Sequence, residues 1–156
     1  MRFLGVDFGA RRIGLAVSDP SATLARPWQT MAAGGDARAS AADVAALLAA
    51  SATDDDLGPG GFAGIVVGLP HRLNGEATHL TKPALDFAAA LAELTGLVVR
   101  LQDERLTSRE AESRLAVGER DWRRRKTKLD AAAAAVILQD FLDARASGKP
   151  TDSTRA

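Results

Sequence analysis

The sequence predicts an α/β fold: a mixed sheet of five strands, three antiparallel followed by two parallel, flanked by helices. Two observations point there. Between Met1 and Ser18, apolar and small residues alternate at a period of two on either side of a tight turn. From Ile65 to Gln102 an apolar run, a long helical pattern and a second apolar run follow in order. A short turn joins antiparallel neighbours, whereas a helix-length crossover joins parallel ones.

Residues 2–8 form the first predicted strand. After the turn Gly9-Ala10-Arg11-Arg12, Ile13, Leu15 and Val17 alternate with Gly14, Ala16 and Ser18 in the second. Thr23 to Thr30 makes a third, weaker strand, which Pro27 marks as an edge because proline cannot donate to an interior ladder. Ala41, Val44, Ala45, Leu47 and Leu48 then recur at helical spacing, with Ser40 as the expected N-cap. Asp54 to Gly61 reads as a loop.

Ile65 to Leu69 is a continuous apolar run, as in a strand covered on both faces, and Pro70 stops it. A helix from about Glu76 to Leu94 ends at Gly96, the residue type favoured where a helix turns left-handed. Leu97 to Gln102 is the fifth strand. Thr107 and Glu110 form a capping box for a short helix to Val117, and the last helix spans Leu129 to Ala144. Residues 1–146 are expected to be one domain, and the small, polar residues 147–156 a disordered tail.

Bulk composition narrows the chemistry by exclusion. A chain of 156 residues buries about two-thirds of its unfolded surface and needs no covalent staple. It contains no cysteine, which rules out disulfides, thiolate zinc sites and a cysteine nucleophile and fits a cytoplasmic protein. Lys and Arg total 20 and Asp and Glu total 20, so net charge does not point to nucleic acid, but the charge is segregated. Arg120, Arg123, Arg124, Arg125, Lys126 and Lys128 crowd residues 120–128, and Asp54, Asp55 and Asp56 cluster elsewhere.

Three carboxylates stand where an acid is costly without a partner. Asp7 interrupts the apolar run Phe3 to Phe8, Glu104 follows the fifth strand, and Asp130 precedes Ala131 to Ala135. A fold that gathered them would hold a divalent cation. Each has a plainer reading: Asp130 as an N-cap, Glu104 or its neighbour Asp103 as solvated strand-end charge. Asp7, between Val6 and Phe8, is the hardest to explain without a partner.

The motif Gly5-Val6-Asp7-Phe8-Gly9 with Arg12-Ile13-Gly14-Leu15-Ala16-Val17-Ser18-Asp19 is followed by Val67-Gly68-Leu69-Pro70 with Asn74-Gly75. Asp103-Glu104-Arg105-Leu106-Thr107-Ser108 and Lys128-Leu129-Asp130-Ala131-Ala132-Ala133 complete the series. In this order, from residue 3 to about 143, the chain resembles the YqgF (RuvX) family. The resemblance implies an RNase H-like fold and a nuclease site formed by Asp7, Glu104 and Asp130. It also implies a role in maturing the 5′ end of pre-16S rRNA or, alternatively, in resolving Holliday junctions. His71-Arg72 stands where relatives more often carry apolar residues, so His71 is not assigned to catalysis.

Phosphodiester hydrolysis by such a site needs Mg2+ or Mn2+, two ions with substrate bound, and hard oxygen ligands rather than histidine or cysteine. The expected phosphate contacts are Arg11 and Arg12 in the first turn, Arg105 beside Glu104, and Arg123, Arg124, Arg125, Lys126 and Lys128 in a basic loop ahead of Asp130. Trp122 is a stacking candidate, and Thr78, His79 and Lys82 lie near a helix start that could take a phosphate. The expected partner is nucleic acid, structured or single-stranded RNA before a four-way DNA junction, and no membrane. A junction enzyme requires a symmetric dimer, whereas a monomer or weak homodimer suffices for RNA.

Two rival readings differ in class. An Asp-x-Gly after a strand also occurs in actin-like and sugar-kinase ATPases, but those need two such domains around the nucleotide. A non-catalytic nucleic-acid-binding factor would keep the fold and lose cleavage.

Overall fold

The computed structural model describes residues 1–53, 61–69, 80–103 and 122–148. Within them the elements run β1 (Arg2–Phe8), β2 (Arg12–Ser18), β3 (Ala25–Ala32), α1 (Ala37–Ala50), a 3-10 turn (Ser51–Thr53), β4 (Phe62–Leu69), α2 (Thr81–Thr95), β5 (Val98–Asp103) and α3 (Trp122–Ala146). The strands form one sheet in the order β3-β2-β1-β4-β5. β1 and β2, and β2 and β3, pair antiparallel, while β4 pairs parallel with both β1 and β5. This is the predicted mixed sheet, with β3 at one edge as Pro27 requires. The register slips between Leu15 and Ala16, so that Trp28 is left out of the pairing between Gln29 and Pro27.

Alternation along the strands sorts their side chains onto two faces. Leu4, Val6, Phe8, Ile13, Leu15, Val17, Ile65, Val67, Val99 and Leu101 point to one face, where Ala41 and Val44 of α1 and Ala84, Phe87 and Leu91 of α2 close over them. The other face carries Phe3, Ala16 and Val66, packed against Ala134, Ile137, Leu138, Phe141 and Leu142 of α3. Each fully buried Leu, Ile, Val or Phe contributes about 1.5–3 kcal/mol.

Two glycines set how closely α3 approaches. A Cβ added at Gly5 would lie 2.7 Å from Leu138 Cβ and 2.9 Å from the Ala134 carbonyl oxygen, and one at Gly14 would lie 1.9 Å from the Asp130 carbonyl oxygen. Asp130, Ala134 and Leu138 form one stripe at i, i+4, i+8, so this stripe lies directly on bare backbone of β1 and β2. Glycine inside a strand often marks such a close approach.

Several boundaries differ from expectation for identifiable reasons. α1 is capped by Asp36, whose Oδ1 accepts from the Ala39 N–H at 2.7 Å, and not by Ser40. Ser40 is buried within the helix and donates to the Gly34 carbonyl at 2.9 Å. β3 begins later than Thr23 because Asp19 holds a turn there, accepting from the N–H groups of Thr23 and Leu24. The C-terminus of α2 is as predicted, with Gly96 at φ 71° and its N–H on the Ala92 carbonyl. The predicted helix from Thr107 to Val117, the first turn of the helix expected from Glu76, and residues 149–156 of the expected tail lie outside the described residues.

Candidate active site

Pairing brings a row of residues together across the far end of the sheet. Asp7 of β1 stands opposite Gly14 of β2 on one side and Gly68 of β4 on the other, and Gly68 stands opposite Gln102 of β5. By alternation all four belong to the face covered by α3. Asp7, half-buried, is therefore flanked by two residues without side chains, and the bare backbone of Gly14 is where α3 comes closest.

Asp130 arrives from above. Its carbonyl oxygen sits against Gly14, the residue paired with Asp7, so the main chain of Asp130 lies on the strand next to Asp7 although the two acids are 123 positions apart in the chain. The Asp130 carboxylate is held by Arg12, whose Nε donates to Oδ2 at 2.6 Å. The two side chains are 24% and 33% exposed, so this pair is shielded more than an ordinary surface ion pair. Arg12 lies on the same face of β2 as Gly14 and brings its charge to Asp130.

The position of Asp130 corrects one expectation. α3 starts at Trp122, so Asp130 lies inside a continuous helix and is neither its N-cap nor stabilised by unpaired amides at its start. The correction extends to the basic run: Arg123, Arg124, Arg125, Lys126 and Lys128 have their main chain in the first turns of α3 rather than in a loop. The alanine pattern pointed to a start at Leu129, but Arg and Lys are good helix formers and let the helix continue backward through them.

Of the other expected residues, Arg11 is exposed in the turn between β1 and β2, and its carbonyl accepts from Ala33 N–H. Lys82 lies in the first turn of α2 and pairs with Asp86 at 3.1 Å. β5 ends at Asp103, and Glu104 and Arg105 lie outside the described residues, as do His71, Asn74, Gly75, Thr78 and His79. Among the described residues no three His, Cys, Asp or Glu side chains group closely enough to hold a metal ion.

Sequence reading missed Gln102. It follows Arg100 by two residues, so both face α3, and Arg100 indeed lies over the Phe141 ring at 6.0 Å. The Gln102 Oε1 is buried and has no hydrogen-bond partner among the described residues. Gln139 was also missed: its amide accepts from Ala25 N–H and donates to the Thr23 carbonyl, which ties α3 to the start of β3. Period-two alternation places Gln102 on the same face of the sheet as Asp7, with Gly68 of β4 between them.

A cavity of about 330 Å³, lined among others by Arg2, Leu48, Phe62, Leu94 and Leu97, lies at the opposite end of the sheet, where β1, β4 and β5 begin. It is remote from the acids and belongs to no chemistry described so far.

Comparison with known proteins agrees with this geometry. RuvC of Thermus thermophilus in complex with a Holliday junction substrate superposes with a TM-score of 0.54 at 14% identity, covering 100% of this chain and 99% of that one. A second RuvC structure from the same organism gives 0.53 at 15% identity. These matches establish the RNase H-like fold. Among curated sequences, "Putative pre-16S rRNA nuclease" of Clavibacter michiganensis subsp. michiganensis is 43% identical over 148 residues, 94% of this chain and 86% of that protein. The protein of the same name from Anaeromyxobacter sp. (strain Fw109-5) is 41% identical over 145 residues, 93% and 98%. The family model RuvX, described as Holliday junction resolvase, matches residues 1–144, a span that holds β1 with Asp7 and α3 with Asp130, and the chain belongs to that family.

Proposed function

We propose that this protein is a metal-dependent nuclease that hydrolyses phosphodiester bonds, with 5′-end maturation of pre-16S rRNA as its principal role. The observation that carries the reading is that Asp130 is seated on Gly14, the strand partner of Asp7. Nothing in the packing of an ordinary sheet calls for two acids and an arginine on its covered face. The pre-16S rRNA substrate is taken from the relatives' names.

The residues present fit a hard divalent cation. Asp7 and Asp130 offer carboxylate oxygens, and the buried Gln102 Oε1 has no donor among the described residues. Mg2+ and Mn2+ take such ligands. Asp7, Asp130 and Glu104, which follows β5, would hold the metal. Two ions in the substrate complex would supply charge neutralisation on the phosphoryl oxygens and a lower pKa for the attacking water.

The chain's own groups do the positioning. Arg12 fixes the Asp130 carboxylate and offsets its repulsion with Asp7. The Arg12 guanidinium retains N–H donors beyond the one given to Asp130, so it can also meet a phosphate. The basic residues from Arg123 to Lys128 bring positive charge along the chain that leads into Asp130, with Arg11 and Arg105 as flanking contacts. No helix among the described residues is long and apolar enough to cross a membrane, and a cytoplasmic location and a monomer or weak homodimer complete the reading.

The test uses three substrates: RNA bearing the 5′ extension of the small-subunit precursor, duplex DNA and a four-way DNA junction. Each is incubated with Mg2+, Mn2+ or EDTA. Cleavage of the RNA with either metal, none with EDTA, and retained binding without cleavage by Asp7→Asn are expected. A wild-type protein that cuts none of the three would sink the enzyme reading. The family description favours a second reading, junction resolution. Selective junction cleavage by a stable dimer in sedimentation would establish it instead.

A further inference from the structure

We infer that Gln102 is a positioning residue of this site, its amide accepting a hydrogen bond from water in the hydration shell of a divalent cation bound at Asp7. The inference rests on the metal-site reading above. Its grounds are placement and an unmet hydrogen bond. Gln102 is joined to Asp7 through Gly68 in the pairing register, about two strand spacings away, and Gly68 has no side chain to fill the interval on that face. A glutamine is long enough to reach over the neighbouring strand.

Buried side-chain polar atoms are paired in the large majority of cases, and an exception requires a reason. Gln102 Oε1 is such an exception among the described residues. The requirement stands whichever end of the amide faces inward, since both are polar. If the residue served packing alone, leucine or methionine would fill the same volume without an unpaired atom.

An amide oxygen needs a donor, and carboxylates provide none. Mg2+ keeps several of its waters when bound by few protein ligands, and those waters are strong donors. A neutral acceptor adds no further negative charge on the face that already carries Asp7 and Asp130. Partners of a metal's immediate ligands typically change affinity tenfold to a hundredfold when removed.

The experiment measures Mg2+ and Mn2+ binding by calorimetry without nucleic acid, together with melting of the metal-free protein. Wild type, Gln102→Leu, Gln102→Met, Gln102→Glu and Asp7→Asn are compared. Both apolar variants are expected to melt at or above the wild-type temperature without metal, yet to bind metal about tenfold more weakly. Gln102→Glu, which keeps an oxygen at the same reach, is expected to bind at least as tightly as wild type. Unchanged affinity in the apolar variants, while Asp7→Asn loses metal, overturns the inference alone. So does a metal-free melting temperature several degrees lower in both apolar variants, because Gln102 would then be a packing residue. Should wild type bind no metal, or Asp7→Asn bind it as well as wild type, the metal-site reading falls and the inference with it.

Discussion

The two faces of the sheet differ in what their side chains are for. Toward α1 and α2, every strand contributes large apolar residues, from Leu4, Val6 and Phe8 through Val99 and Leu101, and the ring centroids of Phe8 and Phe87 lie 4.8 Å apart. Toward α3 the same strands carry apolar residues only at one end, Phe3 against Phe141 at 5.3 Å, and give way to Gly5, Gly14, Gly68, Asp7, Arg12 and Gln102 at the other. One face stabilises by burial, whereas the other accepts bare backbone and polar atoms, and there α3 seats Asp130 on Gly14 beside Asp7.

The strongest way to break this contrast is to damage each face in turn. Phe87→Ala should cost about 3–5 kcal/mol by opening a cavity under the sheet, while cleavage per folded molecule stays unchanged. Denaturant titration alongside the RNA assay would show whether the two faces separate so cleanly. Gly14→Ala should cost about 1–3 kcal/mol, because a methyl group 1.9 Å from the Asp130 carbonyl oxygen forces the helix off the strand. Unlike Phe87→Ala, it should also abolish cleavage by folded protein. Retained activity in Gly14→Ala would mean that the stripe through Asp130 does not set the site.

Smaller effects sharpen the comparison. Arg12→Met should cost about 1 kcal/mol in metal-free protein, as its partly shielded pair with Asp130 is lost. Saturating Mg2+ should erase most of that deficit, since a cation then replaces the guanidinium, and melting curves with and without Mg2+ test this. The exposed pairs Arg38–Glu93 and Lys82–Asp86 lie on the helices of the opposite face, and Arg38→Ala or Lys82→Ala should change stability by less than about 0.5 kcal/mol.

The last prediction is confined to acid. The Ser21 hydroxyl, followed by the N–H groups of Leu24 and Thr23, holds the Asp19 carboxyl far below the usual carboxylate range. A depressed folded pKa contributes stability that is present above the unfolded value, about 3.9, and is lost as pH falls toward the folded one. Asp19→Asn should therefore flatten the melting profile below about pH 4. An unchanged acid limb would show that this turn does not hold the carboxylate in solution.

Asp19 also shows how far motif reading reaches. It ends the second sequence motif, yet its work is local: it shapes the turn before β3 and delays the strand to Ala25. Glu104, by contrast, is expected at the same site as Asp7, and β5 ends one residue before it, where the described residues stop. Asp7 was legible for a simple reason. A carboxylate within an apolar strand is costly, and the cost is visible in its immediate neighbours.

What the sequence by itself determined was local: strand periodicity, the crossover that makes β4 and β5 parallel, the edge position of β3, the Gly96 helix end, and the oddness of Asp7. These follow from neighbours a few residues apart, through steric and hydrogen-bonding preferences that act within one turn or one strand. Only the tertiary structure decided that α3 begins at Trp122, that Asp130 rests on Gly14 and is held by Arg12 across 118 residues, and that Gln102 Oε1 is buried without a donor among the described residues. Those facts depend on how closely two backbones pack, and that distance is set jointly by glycines and side chains from separate parts of the chain.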